Sequence, residues 1–218
     1  MSDVPEPAWQ SSVPTNASGP RIVLIHGFLA GKHMARHLLR WVREAGFEDA
    51  SLFSNNDSPA VIASFLEAAA QHQRPLVLIG FSQGGFQVLK VAKALARRGQ
   101  GVDLLVSLAA GGIGRLHPAQ WGFRVRNLPS NIKRLLNIYS QADLMGTDPL
   151  PGGNALRPQH GIVPENIALA KADAIDHLSL VRCYPAERVS PVVAERVLAP
   201  LLAALKAVDD ATTGKASP

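Results

Sequence analysis

The sequence predicts an α/β fold of three layers, a minimal and mostly parallel sheet of about six strands with helices on both faces. Short apolar runs of the kind buried on both sides recur along the chain, Ile22-Val23-Leu24-Ile25 and Leu76-Val77-Leu78-Ile79 among them. Helical patterns and short loops alternate with these runs, which is the order expected of parallel strands joined by crossovers. The residues with chemical potential, namely His26, Phe28, Ser82, Gly111, Asp143 and His177, all follow a strand end. In open α/β sheets ligands sit beyond the carboxyl ends of the strands.

Residues 1–19, rich in Pro, Ser and Asn, are expected to form a flexible arm. A single domain spans 20–208. Its first strand ends in the loop His26–Gly31, which feeds a helix from about His33 to Ala45 stopped by Gly46. Ala50–Ser54 forms a short second strand. Asp57-Ser58-Pro59 offers two capping oxygens and then a proline in the first turn, opening a helix to about Gln73. The strand at Leu76 runs into a tight turn, and a helical pattern follows from Phe86 to Arg98. Val102–Ala109, Arg134–Tyr139 and a weaker Asn166–Ala170 supply the remaining strands. A last amphipathic helix covers about Pro191–Ala207, and 209–218 is expected to be a disordered tail. The interval from Ala109 to Arg134 is too short for the helix pairs of a sizeable lid. It is expected to be a packed connection rather than a mobile flap, with Leu116, Trp121 and Phe123 turned to the core.

At 218 residues and 47% hydrophobic, the chain can bury a substantial core. A lone cysteine, Cys183, excludes an internal disulfide framework. The formal charge of +5 comes from scattered basic residues without interleaved aromatics, which argues against nucleic-acid binding. No apolar run reaches membrane-spanning length, so stable membrane insertion is not expected. With no apolar signal-peptide core near Met1, a cytoplasmic location is expected if Met1 is the native start. His33 and His37 lie one helical turn apart but lack the Glu and third ligand of a zinc helix. They read as a solvated pair, and neither metal nor cofactor is expected.

Gly80-Phe81-Ser82-Gln83-Gly84 is a G-x-S-x-G string between a buried-type strand and a helix, the context of a nucleophile elbow. Glycines two residues either side remove collisions at so sharp a turn, and the amide of Gln83 lies at a helix N-terminus that favours negative charge. A serine hydroxyl needs a base, and the base needs a third group to orient it. After Ser82 the acid candidates are Asp143, a short turn beyond a strand, and Asp148, deeper in a Pro/Gly loop where a turn-forming role fits better. The histidine candidates are His160, in mid-loop, and His177, which precedes the last helix and is the preferred base. Asp176 is expected to cap or pair locally, and His26 to hydrogen-bond its own loop. The amides of Phe28 and Gln83 would form an oxyanion hole.

These residues resemble an α/β hydrolase, and within that superfamily the chain is similar to the small lidless bacterial lipases and esterases. IVLIHGF at 22–28, GFSQGG at 80–85, LLVSLAAGG at 104–112, NIYSQADLM at 137–145 and DHLSL at 176–180 carry the likeness. The elbow is closer to that of cutinases, with Phe81 where those lipases usually have His. The resemblance implies Ser82, Asp143 and His177 as a triad, the Phe28 and Gln83 amides as oxyanion donors, and a small-molecule ester or lipid as substrate. Two other readings stay open: a thioesterase or amide hydrolase on the same triad, and a hydrolase-fold binding protein with a weak site.

Overall fold

The computed structural model describes residues 8–112, 127–148 and 153–213. Six strands, β1 (Arg21–His26), β2 (Ala50–Ser54), β3 (Leu76–Phe81), β4 (Val102–Leu108), β5 (Ile132–Ser140) and β6 (Glu165–Leu169), form one sheet in the order β2-β1-β3-β4-β5-β6. Every pairing is parallel. The chain starts near the centre, steps out to one edge, returns past β1 and continues to the other edge. The central strands β1 and β3 are buried along their whole length, as their continuous apolar runs require.

Successive residues of each strand feed opposite layers. Ile22 and Leu24 of β1, Val77, Ile79 and Phe81 of β3, and Leu104, Val106 and Leu108 of β4 pack on one face. Two helical segments cover it. α1 (31–44) contributes Met34, Leu38 and Val42, and α4 (191–213) contributes Val197, Leu201 and Leu205. The middle of α1, Ala35–Leu39, and the N-terminal part of α4, Ala194–Leu198, are wound as π-helix. On the other face Val23, Ile25, Leu78 and Leu105 meet α2 (Pro59–Ala70) through Ile62 and Leu66, and α3 (Gln83–Ala96) through Val88, Val91 and Leu95. Two apolar cores on one doubly covered sheet give the three layers that the sequence predicts.

Element bounds differ where tertiary contacts decide them. α3 begins at Gln83, immediately after the turn, because Gly84 and Gly85 are helical despite their low propensity. α2 stops at Ala70 rather than near Gln73. Neither predicted capping oxygen caps it: the Ser58 side chain makes no cap bond, and the Asp57 carboxylate accepts from Ser54 N at 2.7 Å instead. α4 continues to Thr213, past the predicted stop at Ala207 and into the expected tail. The Ala109–Arg134 connection is described only at its ends, and the predicted packing of Leu116, Trp121 and Phe123 lies outside the described residues. Among the described residues no helix is long and apolar enough to cross a membrane.

Residues 8–19, expected to be a flexible arm, lie as a strap along the sheet edge. Leu52 N of β2 donates to Trp9 O at 2.7 Å, and Ser11 N donates to Ser51 Oγ at 2.9 Å. The guanidinium of Arg74 donates to the carbonyls of Pro14, Thr15 and Gly19, and Arg21 donates to Val13 O. Both arginines also converge on Asp49 Oδ2, Arg21 Nε at 3.0 Å and Arg74 Nη2 at 2.7 Å, with all three side chains 3–4% exposed. A segment with few large apolar residues is thus ordered by satisfying cations that the fold has already buried.

His33 and His37 are not a solvated pair. His37 is buried, its ring centroid lies 4.4 Å from that of His33, and Tyr184 N donates to its Nδ1 at 3.2 Å. Burial, reinforced by the nearby charges of His33, Arg182 and Arg36, lowers the pKa of His37 to about 4. Cys183 is buried in the same region, where desolvation raises its thiol to about 12 and leaves it inert.

Two outcomes follow. Asp49→Ala leaves two buried guanidinium groups without their carboxylate, and chemical denaturation should show a loss of about 3–5 kcal/mol. The unfolded chain binds a proton at His37 near the ordinary histidine value of 6.5, whereas the folded chain binds it only near 4. Stability contributed by keeping His37 neutral is therefore complete above pH 6.5 and declines as pH falls towards 4, by roughly 1–3 kcal/mol. In His37→Gln, which keeps an acceptor for Tyr184 N, urea titrations across that window should show a shallower slope.

Candidate active site

The turn after β3 carries Ser82 at φ 57 and ψ −123, a backbone conformation that a side chain enters only under strain. The strain is held by close packing on three sides. A Cβ on Gly84 would strike the carbonyl of Ile25 in β1, and one on Gly80 would strike the carbonyl of Gly84. A Cβ on Gly27 would fall 2.7 Å from that of Ser82, so the loop after β1 lies directly against the serine. Ser82 N donates to Leu108 O at 2.8 Å, and Ser82 O accepts from Gly85 N at 3.0 Å as α3 starts. The beginning of α3 is further tied to the loop after β2. Asn55 Nδ2 donates to Gln83 Oε1 at 2.8 Å, and Gln87 Nε2 donates to Asp57 O at 2.7 Å.

Asp143 leaves the end of β5 through a short turn and is 1% exposed. Its Oδ2 lies 2.7 Å from His177 Nδ1. Its Oδ1 accepts from the amides of Met145 and Gly146, each at 2.9 Å. Three hydrogen-bond partners hold this carboxylate in one orientation. Since it can only accept, His177 Nδ1 carries the proton, and Nε2 of the neutral ring keeps a lone pair. The His177 ring lies 4.7 Å from that of Phe81, centroid to centroid, which brings the imidazole against the residue preceding Ser82. Its loop is anchored from β5 by Ser140 Oγ, donating to Ile175 O at 2.6 Å, and from α1 by His33 Nε2, 3.0 Å from Leu178 O.

The other candidates stand apart from this pair. Asp148 Oδ1 accepts from Gly112 N at 3.0 Å, joining two loops. His160 is exposed at φ 52 in the tight turn between Gln159 and Ile162. Asp176 caps the following turn, accepting from Ser179 N at 2.7 Å. Desolvation there pushes the Asp176 carboxyl upward, but the Ser179 hydrogen bonds and the charge of Arg182 outweigh it and hold the group below its ordinary value. His26 bonds its own loop, with Nδ1 2.7 Å from Gly27 O. No group of three His, Cys, Asp or Glu side chains among the described residues is arranged to hold a metal ion.

Of the two amides expected to meet an oxyanion, that of Gln83 opens α3, and that of Phe28 lies in the loop packed on Ser82. No described residue accepts a hydrogen bond from either. One buried residue escaped the sequence reading. Asn154 is 4% exposed; it donates to Gly146 O at 2.7 Å and accepts from Asp148 N at 2.6 Å, stapling the loop that carries Asp143. It follows a Pro-Gly-Gly stretch, and nothing local marks it as more than a turn residue.

No protein-family model matches the sequence, and no curated protein sequence does. Solved structures do match. A putative α/β hydrolase of unknown function from Agrobacterium tumefaciens superposes with a TM-score of 0.54 at 16% identity, over 96% of this chain and 92% of that one. The RedJ thioesterase of the prodiginine pathway in Streptomyces coelicolor gives 0.53 at 14% identity, over 92% of each chain. Est1E of Butyrivibrio proteoclasticus, solved with ferulic acid bound, gives 0.51 at 15%, over 86% of this chain and 91% of that one. Likeness at such identities is one of architecture, and together with the six-stranded parallel sheet it establishes that this chain has the α/β-hydrolase fold.

Proposed function

We propose that this chain is a serine hydrolase that cleaves carboxylic esters through an acyl-enzyme intermediate. The observation that carries the reading is the 2.7 Å contact between Asp143 and His177, whose ring packs on Phe81, the residue before a serine on a strained, glycine-packed turn. In this reading His177 Nε2 takes the proton of Ser82 as Oγ attacks the ester carbonyl. Asp143 fixes the imidazole tautomer and stabilises the imidazolium that forms. The amides of Phe28 and Gln83 receive the negative charge developing on the carbonyl oxygen. His177 then protonates the leaving alcohol, and water repeats the sequence to release the acid. No cofactor is invoked.

An apolar acyl group is supported by the surroundings. Among the described residues seven large hydrophobic side chains are exposed, and five of them are Phe28 itself and Leu29, Leu144, Met145 and Leu178, which lie within two positions of Phe28, Asp143 or His177 in sequence. Exposed apolar side chains gathered about one site mark a surface that receives an apolar partner. Short to medium acyl chains on a small alcohol fit this setting.

Ser82→Ala should abolish hydrolysis of p-nitrophenyl esters, by on the order of 10⁴-fold or more, with an unchanged far-UV spectrum. A variant within tenfold of wild type would overturn the reading. Asp143→Asn and His177→Ala should fall by a comparable factor, while Asp148→Asn, Asp176→Asn and His160→Ala keep most of the turnover. Comparing kcat across these five variants checks the assignment of acid and base, and a crippled His160→Ala would reassign the base.

A further inference from the structure

The strap of residues 8–19 delivers an aromatic ring to the loop that bears one proposed oxyanion donor. The Gly27 carbonyl and the Phe28 N–H belong to one planar trans peptide, so whatever fixes the carbonyl direction also fixes the N–H. Two groups hold that carbonyl: Ala30 N at 3.2 Å and His26 Nδ1 at 2.7 Å. A carbonyl only accepts, so Nδ1 carries the proton and Nε2 is left with a lone pair. Nε2 is buried and has no hydrogen-bond partner among the described residues. No second hydrogen bond therefore sets the angle of the imidazole, and packing must do it.

The packing comes from Trp9. Its ring stands nearly perpendicular to that of His26, at 78° with centroids 5.4 Å apart. The far edge of the indole rests on Gly31, where a Cβ would fall 2.5 Å from Trp9 Cη2 and 3.0 Å from His26 Nε2. Trp9 thus closes the space behind the imidazole and shields its bare nitrogen from water. The ring is held in turn by the edge of the sheet. Leu52 N donates to Trp9 O, Gln10 Nε2 donates to Leu52 O at 3.2 Å, and Arg43 Nη1 donates to Ala8 O at 2.7 Å.

We infer that Trp9 is a positioning residue for the oxyanion hole, acting through His26 to hold the Gly27–Phe28 peptide with its N–H towards the reacting carbonyl. The inference rests on the serine-hydrolase reading of the site. A dry imidazole donating to the Gly27 carbonyl orients that peptide and also polarises its N–H. Without the indole, water reaches Nε2, the ring can turn, and the Phe28 amide loses its fixed aim. The ground-state ester does not depend on that amide, whereas the tetrahedral transition state does.

The test is steady-state kinetics on p-nitrophenyl butyrate with wild type, Trp9→Ala and Trp9→Phe, alongside labelling by a fluorophosphonate probe. Trp9→Ala should lose about tenfold in kcat with KM within twofold of wild type, a fraction of the roughly 10²–10³-fold cost of deleting an oxyanion donor outright. Trp9→Phe, which keeps a ring edge against His26, should recover most of that loss. If Trp9→Ala fails to fold, Gly31→Ala displaces the same wedge from the other side and should show the same split. A merely structural role would lower the melting temperature and leave kcat of the folded protein unchanged. That result, or a loss confined to KM, overturns the inference. A wild type that neither labels nor hydrolyses the ester overturns the reading of the site itself, whereas a reactive wild type with unaffected variants overturns only the role of Trp9.

Discussion

The site depends on a contact between backbones that glycine alone allows. The Cα of Gly84 rests on the Ile25 carbonyl of β1, Gly80 lies under the first turn of α3, and Gly27 lies against Ser82. Three chain segments therefore meet with no side chain between them. That closeness sustains the strained backbone of Ser82, because any relaxation would drive the turn into β1 or α3. It also brings the loop after β1 against the serine, so Ser82 and the Phe28 amide follow strands adjacent in the sheet. Asp143 and His177, the acid and base of the proposed mechanism, come from β5 and from the loops after β6.

A second constraint acts at the opposite end of the strands. Asp49 joins Arg21 and Arg74 in a buried cluster, and other guanidinium donors take up carbonyls of the strap and, from Arg21 Nη1, Phe65 O of α2. Buried cations are tolerated when their donors are satisfied, and backbone oxygens of an irregular segment are well suited to the task because many of them have no helix or sheet partner. The cluster both closes the end of the sheet and decides the path of a segment with little apolar surface of its own.

Much of the architecture is visible in the sequence because strands buried on two faces must be apolar without interruption. Arg21–His26 and Leu76–Phe81 are read directly from such runs. The elbow is legible because the Gly80 and Gly84 spacing has a mechanical cause, and Asp143 stands out from Asp148 by its shorter distance from a strand end. What escapes the sequence is set by partners far along the chain. The strap looks disordered because its ordering donors are Arg21, Arg43 and Arg74. His33 and His37 look solvated because the segment that covers them, near Leu178 and Tyr184, lies some 145 residues away. Asn154 carries no local signal, since its role exists only once the Asp143 loop has folded beside it. The lone Trp9 in a Pro/Ser-rich stretch is the one hint that the segment has something to pack against.

The unequal anchoring of the two halves of the site has a bearing on how the molecule would come apart. Ser82 is seated on β3, with a parallel strand on either side and helices above and below. His177 is carried by irregular chain beyond β6, an edge strand of five residues, and is held by the Asp143 contact, the Ser140 bond and short turns. Segments with few ladder bonds open at lower free energy than a sheet centre. The first sub-global opening would therefore carry away the imidazole while the serine, its glycines and both apolar cores stay in place. Such a species keeps its secondary structure and its elbow but lacks the base of the proposed mechanism, so on that reading loss of competence and loss of fold become separate events.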